Sequence, residues 1–232
     1  MRTVALVLIV RNEEGGLARI LPRLPRQIFH SILAVDGNSK DRTRELLAGA
    51  GIPVHIQKRP GLGAAMLEGR ALVQADALIF FHPDGNESPD DLPRMVDLLA
   101  QGRDFVVASR MIAGSWNEED SELFRWRKWA NRGFAALANG FFAQNGNRTT
   151  DVTNGFRGIS CAAFDRMALT STDLTLDYQM VIHALKLGIP ISEFPTREGA
   201  RIGGETNFPS IRTGLAELRL LVNEVRMGRR DV

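Results

Sequence analysis

The sequence predicts an α/β fold: a Rossmann-like, mostly parallel sheet with helices on both faces and a helical extension at the C-terminal end. Three observations carry that expectation. Strand-like and helix-like stretches alternate along the first half of the chain, the pattern of a parallel sheet wrapped by helices. The first strand-like stretch, Val4–Val10, is apolar throughout, as a strand covered on both faces must be. Short polar clusters follow four of the strands, where such sheets bind ligands.

Taken in order, residues 17–24 read as a helix up to their prolines. Residues 31–35 read as a second strand, stopped by the turn-rich Asp36-Gly37-Asn38-Ser39. A helix over 41–50 opens with Asp41, an acid suited to the helix dipole. A third strand covers 54–57, and a helix over 63–73 begins after Gly61-Leu62-Gly63. Ala77–Phe81 is the fourth strand and runs into His82-Pro83-Asp84-Gly85. A helix over 89–100 leads to a fifth strand, Phe105–Ser109. The second half is less regular. Apolar residues at three- and four-residue steps, from Leu123 and Trp126 through Phe134 to Phe141, mark a helix over 121–143. Residues 175–187 read as another. A last helix over 211–227 carries Ile211, Leu215, Leu218, Val222 and Val225 on one stripe, while Arg212, Arg219 and Arg226 share a face. One domain, 1–232, is expected.

Composition excludes several classes. The chain has 232 residues, 44% hydrophobic and 24% charged, an ordinary globular balance rather than that of a disordered chain. Lys and Arg number 29 against 27 Asp and Glu, a net charge of +2, too balanced for a general nucleic-acid binder. Cys161 is the only cysteine, so no intramolecular disulfide or Cys-rich zinc site can form. It reads as a small buried residue. No stretch approaches the roughly 20 apolar residues of a membrane span. The apolar N-terminus lacks a signal peptide's cleavage region, so a cytoplasmic location is expected.

Each polar cluster has a chemical and a structural reading. Asp84, just past the fourth strand, can hold a hard divalent cation together with substrate phosphates. Asn86 could add a carbonyl oxygen, and His82 a softer ligand. The same residues also make an ordinary Pro-Asp-Gly turn. Gly61 and Gly63, ahead of a helix, let backbone N–H groups approach phosphate, or simply join a loop to a helix. Asp36 can accept hydrogen bonds from a base or ribose, or cap the next helix. Asp151, Gly155 and Arg157 could wall a site or form a turn. Arg201, in a Gly-rich stretch with Gly203 and Gly204, fits a lid over phosphates, or lies in a plain surface loop. No Ser-His-Asp or zinc spacing involves the four histidines.

Together these pieces resemble the inverting glycosyltransferases of family 2, and within them the dolichol-phosphate mannose synthase type. The resemblance runs over residues 4–208 in the expected order. The family's Asn-Glu after the first strand matches Asn12-Glu13. Its Asp-Asp-Gly-Ser run matches the stretch opening at Asp36, with Gly37 in place of the second acid. Gly61-Leu62-Gly63-Ala64-Ala65 keeps its Gly-Leu-Gly-x-Ala. Its Asp-x-Asp metal motif falls on His82-Pro83-Asp84, with the first acid replaced. Ser109-Arg110, Arg127 with Asn131, and the run from Asp151 through Asn154 to Arg157 match in turn. Arg201, Gly204 and Thr206 match the last loop, where Asn207 replaces a lysine.

The resemblance implies a GT-A fold, with a nucleotide-sugar-binding half over 1–110 and an acceptor-binding half over 111–232. It implies an inverting transfer of a hexose from a nucleoside diphosphate sugar to a polyprenyl phosphate, with Mg²⁺ or Mn²⁺ as cofactor. Asp84, Arg110, Arg127 and Arg201 would be catalytic. Asn12, Glu13, Asp36, Gly61, Gly63, Asp84 and Arg201 would bind the nucleotide sugar. Arg110, Arg127, Asn131, Asp151 and Asn154 would bind the acceptor, and Asp84, Asn86 and His82 the metal. Aromatic and basic residues mixed on the 121–143 helix add a membrane surface, on the inner face, as a candidate partner. A second copy of the chain is another. The alternatives are a glycosyltransferase with a soluble acceptor and a nucleotide-sugar-binding protein without turnover.

Overall fold

The computed structural model describes residues 1–117, 120, 126–202, 210–228 and 232. Its strands are β1 (Val4–Val10), β2 (Ser31–Asp36), β3 (Val54–Ile56), β4 (Ala77–Phe81), β5 (Phe105–Ser109), β6 (Arg157–Ser160) and β7 (Ile191–Pro195). Its helices are α1 (Glu14–Ile20), α2 (Thr43–Gly49), α3 (Leu62–Leu72), α4 (Leu92–Ala100), α5 (Trp126–Phe142), α6 (Cys161–Arg166), α7 (Leu176–Lys186) and α8 (Ser210–Met227). The strands form one sheet in the order β3-β2-β1-β4-β6-β5-β7. All neighbours pair in parallel except β6, which runs antiparallel to both β4 and β5.

The expected parallel α/β sheet is therefore present, and β1, β4 and β5 lie where the sequence placed them. The helix expected over 17–24 begins earlier, at Glu14, and hands over at Leu21 to a 3₁₀ turn containing Pro22. The helix expected from residue 89 opens with a 3₁₀ turn, Pro89–Asp91, capped by the Ser88 side chain. The first residues of the 121–143 helix lie outside the described residues, and α5 is described from Trp126. Two strands and a helix, β6, α6 and β7, were not expected.

Both faces of the sheet are covered, which is why its central strands can be apolar at every position. Val7, Phe80 and Phe105 face Met66 of α3, Phe164 of α6 and Val181 of α7 in one core. Leu6, Leu8 and Phe81 face Leu17 of α1, Leu47 of α2 and Leu92 of α4 in the other. Cys161 is buried, as expected. Among the described residues no helix is long and apolar enough to cross a membrane.

Helix α8 packs inward through Leu221 and two acids, Glu217 and Glu224, all buried. Glu224 accepts from Lys186 Nζ at 2.7 Å and meets His183 Nε2 at 2.9 Å, both on α7. Burial pushes the Glu217 carboxyl up to about 7, with Asp177 adding to the effect. Its charged form therefore costs stability: the contribution is full below its ordinary 4.5 and lost as pH rises through about 7. Glu217→Gln is expected to raise Tm by several degrees above pH ~8 and to change it little near pH ~4. Thermal melts across that range check it, and a pH-independent difference would contradict it.

Candidate active site

The parallel strands all end at one edge of the sheet, and β6 begins there, with Arg157 beside Phe80 and Val107. This edge gathers nearly all of the polar clusters. The loop after β1 is fastened to the loop after β2. Asn12 N donates to Ser39 Oγ at 2.9 Å, Lys40 N donates to Asn12 Oδ1 at 2.7 Å, and Glu13 N donates to Thr43 Oγ1 at 2.8 Å. Asn12 adopts φ 56° to make this turn, a left-handed conformation that asparagine tolerates better than most residues.

Asp84 sits at the centre. Its Oδ1 accepts from Asn86 N at 3.0 Å, and its backbone carbonyl accepts from Ile202 N at 2.7 Å. Arg201 reaches across from the loop after β7. Its Nη2 donates to Glu13 Oε1 at 3.2 Å, and its Nη1 lies 4.0 Å from Asp84 Oδ2. The ends of β1, β4 and β7 thus place two carboxylates and a guanidinium together. Burial pushes the Glu13 carboxyl up to about 7, Asp84 adds to this, and Arg201 opposes it.

Asn86 Oδ1 is buried with no hydrogen-bond partner. A buried carbonyl oxygen without a donor, one turn from a partly open carboxylate, suits a hard cation that takes oxygen ligands. Among the described residues no three His, Cys, Asp or Glu side chains are grouped to cage a metal by themselves, so substrate phosphate oxygens would have to complete the shell.

Three groups of expected residues have partners within the protein. His82 is held through one ring nitrogen, while its Nε2 is buried without a hydrogen-bond partner. Its Nδ1 lies 2.7 Å from Glu87 Oε1, and its ring packs on Gly155, where a Cβ would approach to 2.6 Å. Burial alone would lower its pKa, but the Glu87 carboxylate overrides this and raises it to about 9. Glu87, which holds the ring, carries no motif that would have flagged it.

Gly61 and Gly63 serve packing rather than phosphate. Gly61 has φ 113°, and a Cβ there would sit 2.1 Å from Thr172 O. The N–H groups of Gly63 and Ala64 donate to the carbonyls of Asp173 (3.1 Å) and Thr172 (2.9 Å), so they are not offered to a ligand. Asp36 is also turned inward. It is fully buried, accepts from the Ser39 backbone and hydroxyl, and lies 3.5 Å from Arg44 Nε. It shapes the loop from beneath.

Three expected acceptor residues, Arg110, Asn131 and Asp151, do meet in one hydrogen-bonded network, with Asn154 bonded to backbone nearby. Arg110 grips Asp151 through Nε (2.8 Å) and Nη2 (2.9 Å), and also donates to Thr153 Oγ1 (3.1 Å) and Glu198 Oε1 (3.2 Å). Asn131 Nδ2 donates to the same Asp151 at 2.9 Å. Asn154 donates to the Ala108 carbonyl and accepts from Phe156 N. With its donors so engaged, Arg110 positions the loops around it. Arg127 is exposed, with its guanidinium 5.7 Å from the centre of the Trp126 ring. Asn131 lies one helical turn further on and is buried. Gly204, Thr206 and Asn207 lie outside the described residues.

A parallel sheet with this edge, two carboxylates facing an arginine at the strand ends, is that of a GT-A glycosyltransferase. The chain belongs to glycosyl transferase family 2, whose model matches residues 5–171, more than half of its length. It is 29% identical to the glycosyltransferase AglJ of Haloferax volcanii over 88% of this chain and 65% of that one. It is 31% identical to the undecaprenyl-phosphate 4-deoxy-4-formamido-L-arabinose transferase of Pseudomonas aeruginosa, over 56% of this chain and 39% of that one. The chain thus spans less than two thirds of the length of both relatives. Among solved structures, glucosyl-3-phosphoglycerate synthase from Mycobacterium tuberculosis, in complex with Mn²⁺ and uridine-diphosphate-glucose, matches with TM-score 0.70 at 19% identity, over 96% of this chain and 79% of that one. At that identity the likeness speaks for the fold.

Proposed function

We propose that this glycosyltransferase moves a hexose from a nucleoside diphosphate sugar to a polyprenyl phosphate, with inversion, at the cytoplasmic face of a membrane. The observation that carries the donor side is the cluster of Asp84, Asn86, Glu13 and Arg201. Asp84 and Asn86 would hold Mg²⁺ or Mn²⁺, which neutralises charge on the departing diphosphate. Arg201 is placed to release Glu13 and Asp84 and grip a phosphate, a bidentate task suited to guanidinium. In this reading residues 1–110 supply most of the donor site and residues 111–232 most of the acceptor site, with Arg201 reaching across to the donor.

On the acceptor side, Arg127 stands one turn, about 5.4 Å, from the Asn131–Asp151 contact, at the rim of the network. There it can hold the acceptor's phosphate. An oxygen of that phosphate attacks the anomeric carbon as the bond to the diphosphate breaks, and the leaving group carries off the electron pair. A phosphate monoester is largely ionised near neutral pH, so no strong general base is required. The name of the Pseudomonas relative, which acts on undecaprenyl phosphate, supports a lipid acceptor.

Transfer of radiolabel from a nucleoside diphosphate hexose tests the reading. Label is expected to enter the organic phase when polyprenyl phosphate is supplied. Label recovered only in water-soluble product would assign the enzyme a soluble acceptor.

A further inference from the structure

We propose that the outward face of α8 docks on an anionic lipid bilayer. A helix of a globular protein normally turns its apolar stripe to the core. Here the stripe faces out: Ile211 is 80% exposed, Leu215 53%, Leu218 45%, Val222 40% and Val225 38%. The inward face is narrower and carries the helix's only two acids, Glu217 and Glu224. The Glu224 contacts to His183 and Lys186 fix which way the helix is turned. The three arginines, Arg212, Arg219 and Arg226, are all exposed. At 100° per residue they lie along one flank of the stripe.

The described outward face of α8 is therefore apolar with one basic flank, and no acid shares it. Along this 18-residue helix the apolar strip from Ile211 to Val225 is about 21 Å long. Such a face suits a helix lying in the headgroup plane, with guanidinium groups reaching up to anionic lipid. A second copy of the chain fits it less well, because a two-fold contact would set this basic flank against its own copy. The surface continues onto α5: Gly140, Phe141 and Phe142 line a groove with Val225 and Gly228. On the same helix Trp129 is 54% exposed, and tryptophan favours the membrane interface.

Docking would bring a lipid-linked acceptor to the enzyme and so deepens the proposed function, yet it rests on α8 and can fail alone. The test is co-sedimentation of the full chain with vesicles of phosphatidylcholine, with and without phosphatidylglycerol, none containing polyprenyl phosphate. Binding is expected only with phosphatidylglycerol, weakening as salt rises. Replacing all three arginines with glutamine should weaken it about a hundredfold. The double variant Leu218→Glu and Val222→Glu should abolish it with the circular dichroism unchanged. Should that variant not fold, the arginine variant, which keeps the stripe, decides the matter. Failure of the wild-type chain to bind either vesicle would overturn the proposal, as would binding that neither variant weakens. A wild-type dimer in sedimentation equilibrium that the double variant dissociates, with no vesicle binding, would overturn it in favour of a second copy.

Discussion

Replacing Asp84 with alanine is expected to lower sugar transfer on the order of 10³-fold while leaving the fold intact. The argument is local. The Asp84 side chain is 14% exposed and takes one hydrogen bond, from the backbone of Asn86 two residues on. Its loss opens no core cavity and strands no buried charge beyond Arg201, which keeps its contact with Glu13. What disappears is the carboxylate that, with the orphaned Asn86 carbonyl, would hold the proposed cation. Two measurements check this together. The transfer rate should collapse, and the rise in melting temperature expected of the wild type with Mn²⁺ and a nucleoside diphosphate should be lost. An unchanged rate would remove Asp84 from the metal role.

Asp151→Asn should do the opposite: it should cost stability first and activity only in consequence. Asp151 is fully buried and accepts from Arg110 three times, counting the backbone N–H, and from Asn131 once. An amide of the same shape must point a donor at a donor and leaves the partly buried Arg110 without its main counter-charge. Breaking such a pair costs roughly 3–5 kcal/mol, which for a chain of this size is a fall in Tm of about 10 °C. Burial alone would raise the Asp151 pKa, but Arg110 holds it below its ordinary 3.8. Its contribution is therefore present above that pH and lost as pH falls through the depressed value. The difference between wild type and variant should be large at neutral pH and shrink in strong acid. A variant that melts with the wild type but transfers slowly would instead restore Arg110 and Asp151 to direct contact with substrate.

The fold was readable from the sequence wherever burial imposed a strong pattern. Val4–Val10, Ala77–Phe81 and Phe105–Ser109 are nearly unbroken apolar runs because both sheet faces are covered. Strand β6 is four residues long and includes an arginine and a glycine, and β7 ends in Pro195, so neither has a period to detect. Partners distant in sequence decide both. In α8 the period located the helix, but a stripe alone does not say which side is inward. That was settled by two acids finding partners or burial against α7 and its neighbours, a contact across about 40 positions.

The site shows the same division. The positions of Asn12, Glu13 and Asp84 at one sheet edge follow from strand ends, which sequence pattern can place, whereas Arg201 follows β7, which it did not reveal. What each side chain does there does not. The inward turn of Asp36, the capture of His82 by Glu87 and the closing of Arg110 around Asp151 and Glu198 each depend on a residue whose own sequence context is silent.

The reversed strand β6 has a bearing on how such a protein can change. Every other loop at the ligand edge departs from a strand and must travel back across the sheet, usually as a helix. The segment 143–156 arrives there instead, with Arg157 entering the sheet between Phe80 and Val107. Insertions or deletions within it need not shift the register of any parallel pair. They would remodel the wall beside Arg110 while the row carrying Glu13 and Asp84 stayed as it is. One side of the site can thus drift while the side proposed to hold the nucleotide keeps its shape.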